Sequence, residues 1–158
     1  MDKAEFVQTY ASIFEHSPWV PERAFSRGPF ADKTALHTAF VAVVDEAGAE
    51  AQLALIRAHP ELGARIALTD ASTAEQQGAG LKNLTADEFA QFSEMNAAYR
   101  EKFGFPFVIC VRRHTKTSIL AAFAERLNHD PATERATALA EIAEIAKLRL
   151  EDAKWPAA

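Results

Sequence analysis

The chain has 158 residues, nearly half of them apolar and a quarter charged, and carries a net charge of -5. That length and apolar content fit one domain with a sizeable core and exclude disorder as a description of the whole chain. The acidic balance argues against a nucleic-acid partner, which needs a basic stripe, but leaves room for a local positive pocket and a small anionic ligand. The first predicted helix runs from Asp2 to about Glu15, with Phe6, Tyr10, Ile13 and Phe14 near one face at spacings of three and four. Ser17-Pro18 stops it. Residues 17–30 hold three prolines and a glycine and read as an ordered, irregular connection pinned by Trp19, Val20, Phe25 and Phe30. A second helix is predicted from about Asp32 to Ala47, with Leu36, Phe40, Val43 and Val44 inward and Gly48 past its end. A third runs from Ala49 to about Arg57, where Pro60 forces His59 out of helical geometry.

Further along, Ser72-Thr73-Ala74-Glu75 and Thr85-Ala86-Asp87-Glu88 both have the form of a capping box. The second opens a helix to about Phe103, with Phe89, Phe92, Met95 and Tyr99 on its apolar side and Gly104 as the stop. Phe105 to Val111 is an apolar run that reads as buried extended chain or as the first turn of the next helix. Thr117 or Ser118 opens a helix to about Leu127. Asp130-Pro131 places an N-cap before a proline at the first helical position, and the last helix extends to about Lys154 with Leu139, Ile142, Ile145, Ala146 and Leu148 buried. The expectation is an all-α, single compact domain over residues 1–158, of about seven helices with one irregular apolar segment.

The polar start Met1-Asp2-Lys3-Ala4-Glu5 does not fit a secretory signal, no apolar run reaches membrane-spanning length, and Trp155-Pro156-Ala157-Ala158 carries no peroxisomal tripeptide. The lone Cys110 cannot form an internal disulfide, so the expected home is a reducing cytoplasm, with no membrane partner. Phosphate-cradling glycine loops and metal-ligand spacings are missing from the sequence.

Three segments carry candidate chemistry. In the first, Ala58-His59-Pro60-Glu61-Leu62-Gly63, a histidine at a forced helix end either caps the helix against its dipole or turns its ring into a cleft, where a pKa near neutrality suits proton transfer. In the second, Ser72 to Leu81, Ser72 and Glu75 either close a capping box or stand with Gln76 at a helix N-terminus that faces a ligand. In the third, Phe103 to Arg113, Arg112 and Arg113 either are solvated charges after a core strand or provide a guanidinium that clamps a carboxylate from the edge of an apolar wall. Cys110 and His114 are four apart, but apolar neighbours raise a thiol pKa and argue against a nucleophile. His16, His37 and His129 read as structural.

Taken together and in order, His59-Pro60-Glu61-Leu62-Gly63, Ser72-Thr73-Ala74-Glu75-Gln76 with Ala79-Gly80-Leu81, and Asn96-x-x-Tyr99-x-x-Lys102-Phe103-Gly104-Phe105-Pro106-Phe107-Val108-Ile109-Cys110-Val111-Arg112 resemble the family of 2-oxo-4-hydroxy-4-carboxy-5-ureidoimidazoline (OHCU) decarboxylases. Ser17-Pro18-Trp19-Val20 and the segment from Arg27 to Phe30 look like that family too, so the resemblance covers nearly the whole chain. It implies an all-helical enzyme that needs no metal or organic cofactor and converts OHCU, a late intermediate of urate oxidation, to (S)-allantoin and carbon dioxide. It implies His59 and Glu75 as the catalytic pair. Pro60, Ser72, Thr73, Ala74 and Gln76, with Val108, Ile109, Cys110, Val111 and Arg112, are implied as substrate-binding residues. The small-molecule substrate is then the expected partner, with a homodimer as a further expectation. A non-enzymatic helical interaction domain, and a lyase or hydrolase acting on a different anionic heterocycle, are the competing readings.

Overall fold

Helix α1, Lys3–Tyr10, begins at a reciprocal capping box: the Asp2 carboxylate accepts from the Glu5 N–H at 2.9 Å, and the Glu5 carboxylate accepts from the Asp2 N–H at 2.7 Å. In the computed structural model, which describes residues 1–63, 70–81 and 84–155, the helices that follow are α2 Trp19–Ala24, α3 Lys33–Glu46, α4 Ala49–Arg57, α5 Asp70–Gly78, α6 Ala86–Phe103, α7 Lys116–Arg126 and α8 Pro131–Asp152. Among the described residues there are eight α-helices and no strand, so the all-α expectation holds.

Packing divides the chain into two compact units, one of residues 1–58 with the chain from Ile142 onward, the other His59–Glu141, and the boundary falls within α8. The first unit is built on aromatic rings. Phe40 of α3 meets Tyr10, Phe14 and Phe6 at centroid distances of 6.0, 5.6 and 6.5 Å, mostly edge to face. Val20, Ala24, Leu36, Leu55, Ile56, Ile142, Ala146 and Leu150 complete that core. Two sequence expectations fail here. The first helix ends at Tyr10, not Glu15, because the following carbonyls have tertiary partners: Arg149 Nη1 donates to Ser12 O at 3.0 Å, and its Nη2 pairs with the buried Glu15 carboxylate at 2.8 Å. Residues 17–30 also contain helix α2 and a 3-10 turn, Phe25–Arg27. Pro21 is tolerated because it occupies the first helical turn, whose N–H groups have no intrahelical acceptor anyway. This added helix is why the count exceeds seven.

Elsewhere in this unit the sequence boundaries hold. Asp32 caps α3 by accepting from the Ala35 N–H at 2.8 Å. Gly48, at φ +88°, makes the corner between α3 and α4.

The second unit packs α5, α6, α7 and the start of α8 around the apolar run 105–111. Phe107 stacks on Phe123 of α7 at 3.7 Å, and Tyr99 of α6 meets Phe107 edge-on at 5.3 Å. Thr85 caps α6 in the predicted box, and Gly104 ends it in the left-handed conformation. The buried stripe of α6 is Phe92, Asn96, Tyr99 and Phe103, with Phe89 and Met95 only half-buried. Helix α7 starts at Lys116 with Thr115 as its cap, one to two residues before the predicted start, and Ser118 sits third in the helix as the reciprocal partner. Asp130 caps α8 as predicted: it accepts from the Thr133 N–H at 2.8 Å, a bond that holds its carboxyl below the usual range. Along α8, Leu139 and Leu148 are half-buried, while Glu134, Ala138 and Leu150 join Ile142, Ile145 and Ala146 in the interior. No described helix is long and apolar enough to cross a membrane.

Candidate active site

The turn His59–Gly63 follows directly on Ala58, the C-cap of α4. His59 is nearly buried. Three bonds fix the turn from within the second unit. Arg100 Nε of α6 donates to Glu61 Oε1 at 2.8 Å. One turn back on the same helix, Asn96 Nδ2 donates to Leu62 O at 2.9 Å. From α5, Gln76 Oε1 accepts from the Gly63 N–H at 3.1 Å. The last two partners grip opposite ends of a single peptide group, Leu62–Gly63, so the turn has its backbone polarity satisfied by side-chain amides rather than by a helix or a sheet. Gly63 is required there: its φ is +69°, and a Cβ would stand 2.8 Å from Leu84 Cδ1.

Helix α5 carries the second segment. Ser72 and Gln76, four residues apart, are both buried on one side, Thr73 and Glu75 are half-buried, and Ala74 is exposed. The capping-box expectation for Ser72 is overturned, because α5 begins at Asp70 and Ser72 is already helical; the cap position lies outside the described residues. The same correction puts Ser72 in the first turn of the helix rather than in front of it.

The third segment is neither a strand nor a helical first turn alone. Residues 105–110 run buried outside any helix, and Val111–Arg113 form a 3-10 turn closed by Arg113 N to Cys110 O at 3.0 Å. Val108, Ile109, Cys110 and Val111 are buried, whereas Arg112 and Arg113 are exposed. Helix α5 packs against this turn. Thus Gln76 joins the second segment to the first, and the 3-10 turn joins it to the third. Cys110, in no disulfide, lies inside the apolar wall. His114 Nδ1 is 3.0 Å from Ser118 Oγ. His37 Nε2 meets Ala143 O at 2.8 Å and His129 Nδ1 meets Glu134 Oε2 at 3.0 Å, in keeping with structural roles.

Sequence reasoning quoted Asn96 only within the family resemblance, with no role, and passed over Arg100. Asn96 could have been found, since it occupies the buried stripe of α6 at helical spacing between Phe92 and Tyr99, where a polar residue must have a partner. Arg100 is exposed, Glu61 is half-buried, and the two lie far apart in sequence, so nothing local announces their pairing. Among the described residues, no group of three or more histidines, cysteines or carboxylates is arranged to hold a metal ion. A surface hollow lined by Lys33, Thr34, His37, Lys147, Leu150 and Glu151 shares no residue with the candidate set.

Comparison with solved structures gives the class of fold first. The chain superposes on an (S)-allantoin synthase with a TM-score of 0.78 and 31% identity, covering 96% of this chain and 50% of that one. An OHCU decarboxylase crystallised in the presence of (S)-allantoin, at 23% identity and a TM-score of 0.71, shares the fold. The OHCU decarboxylase family model matches residues 1–151, and the chain belongs to that family. It is 45% identical over 152 residues to the 2-oxo-4-hydroxy-4-carboxy-5-ureidoimidazoline decarboxylase of Haloferax volcanii, covering 96% of this chain and 90% of that protein. It is 41% identical to the enzyme of the same name from Amia calva, with 94% and 87% covered. It also matches, at 41% identity, the uric acid degradation bifunctional protein PucL of Bacillus subtilis, of which it spans 31%.

Proposed function

We infer that the protein is a carboxy-lyase of urate degradation that converts OHCU to (S)-allantoin and carbon dioxide. The observation that carries this is the family match over residues 1–151. The meeting of the three candidate segments in one unit supports it: the Gln76–Gly63 bond ties His59–Gly63 to α5, and α5 packs on the turn that holds Arg112.

Breaking the bond to the carboxylate releases carbon dioxide and leaves an electron pair on carbon. The substrate ring takes up that pair as an enolate-like species, so the electron sink comes with the substrate rather than from a pyridoxal or thiamine group. The protein's work is then to fix the ring, hold the anionic oxygens and deliver one proton to one face of the ring. His59, nearly buried and held by a tied turn, handles the proton at the reacting carbon, directly or through a water. Glu75, half-buried one residue before Gln76, orients a hydroxyl or ring N–H. Ser72, Thr73 and Ala74 line the ring's edge, and Pro60 packs beside it. Arg112 and the N–H groups of Val108 to Val111 stabilise the anionic oxygens. Gln76 accepts the Gly63 N–H with its carbonyl oxygen, which orients its amide NH2 as the donor offered to substrate.

The single buried cysteine supports a reducing cytoplasm as the proposed setting, and a homodimer is proposed as the assembly, to be checked by sedimentation. The function is tested by adding the protein to freshly generated OHCU and following circular dichroism. Build-up of optically active (S)-allantoin above the racemic spontaneous background is expected; racemic product at the background rate overturns the reading.

A further inference from the structure

The second unit buries two opposite charges that the reaction does not use. Glu134 of α8 is fully buried and Arg126 of α7 is 5% exposed. Arg126 Nε donates to Glu134 Oε1 at 2.5 Å, the Tyr99 hydroxyl donates to the same oxygen at 2.5 Å, and His129 Nδ1 faces Oε2 at 3.0 Å. Desolvating such a pair costs nearly as much as the attraction returns, so stability alone is a weak reason for it. A fixed guanidinium does, however, have donors to spare in a rigid fork.

One of those donors reaches the third candidate segment. Arg126 Nη1 donates to Val108 O at 2.8 Å, and its guanidinium carbon lies 4.2 Å over the Phe107 ring. Phe107 in turn stacks on Phe123, one helical turn before Arg126. Residues 105–110 belong to no helix or strand, so no regular hydrogen-bond ladder sets their path. The clamp on Val108 lies two residues before Cys110, whose carbonyl closes the 3-10 turn that holds Arg112.

We propose that Arg126 is a positioning residue for substrate binding: oriented by Glu134, it holds the Val108 carbonyl and so sets where the 108–112 backbone and Arg112 meet the substrate's anionic oxygens. This rests on the reading of 108–112 as a substrate-binding segment. Loss of the clamp then weakens ground-state binding of both substrate and product, whereas a merely structural role lowers the melting temperature and the fraction of active enzyme and leaves KM alone.

The test compares R126K, R126Q, E134Q and R112Q with the wild type, each assayed well below its own melting temperature by far-UV circular dichroism. Folded R126K and R126Q are expected to raise KM for OHCU at least fivefold and to weaken inhibition by (S)-allantoin by a similar factor, with kcat within threefold. Adding R126K to R112Q is expected to raise KM little further. Wild-type KM and allantoin inhibition in folded Arg126 variants, with only a lowered melting temperature, overturn the proposal. If neither Arg126 variant folds, a folded E134Q must show the same rise in KM; a wild-type KM there, or failure of all three to fold, overturns it. A wild-type KM in R112Q overturns the substrate-binding reading of the segment, and the proposal with it, and is distinguished by being independent of Arg126.

Discussion

Gln76 Oε1 accepts the Gly63 N–H at 3.1 Å, and this bond joins the histidine turn to helix α5. Gln76 and Gly63 are both buried, so neither group has water as a ready substitute. Replacing Gln76 by leucine strands the peptide N–H and is expected to cost about 1–3 kcal/mol of stability. Q76E keeps an acceptor in place and is expected to lose less. Urea unfolding of the two variants checks the ranking; equal losses would mean the bond itself contributes little.

Gly63→Ala attacks the same turn through the backbone. The residue sits at φ +69°, where a Cβ costs about 1–2 kcal/mol on its own, and that Cβ would also meet Leu84 at 2.8 Å. The variant is expected to unfold at lower urea and to lose activity beyond its loss of stability, because His59 lies four residues away on the same turn. A G63A enzyme with wild-type stability and kcat/KM would show that the turn relaxes freely.

How far the sequence foretold this arrangement depended on whether the signal was local. Asp32, Gly48, Thr85, Gly104 and Asp130-Pro131 act on their own neighbours, and the helix ends they mark lie where they predict. Tyr10 as the end of α1 was not legible, since it depends on Arg149, more than a hundred residues on, taking the carbonyl of Ser12. Ser72 shows the opposite error: a capping pattern of the right letters falls inside a helix that begins at Asp70. The candidate site was legible as three segments, through family resemblance, but the bonds that draw them together were not. Gln76 to Gly63 and Asn96 to Leu62 each join residues distant in sequence, and a buried Glu134 partnered by Tyr99, Arg126 and His129 has no local signature at all.

Both tyrosines of the chain are buried, and burial raises their phenol pKa values above the ordinary 10; for Tyr99, the hydrogen bond to Glu134 adds to the rise. Above about pH 10 the unfolded chain loses these protons while the folded chain keeps them, so the folded state binds more protons and stability falls as pH rises. The tyrosine contribution is therefore whole below pH 10 and is lost progressively above it, as pH climbs toward the raised folded values. Urea midpoints measured from pH 7 to 11 are expected to fall steeply above pH 10 in the wild type and less steeply in Y99F. Parallel profiles for the two proteins would contradict the assignment to Tyr99.

In the proposed function, His59 handles the proton in decarboxylation of OHCU. The direct measurement is the initial rate of (S)-allantoin formation by H59A, followed by circular dichroism on freshly generated OHCU with the racemic background subtracted. The variant is expected to melt as a folded helical protein and to lose about 100-fold or more in kcat/KM, the range that general acid–base catalysis supplies. A folded H59A that forms (S)-allantoin within a few-fold of the wild-type rate would contradict it.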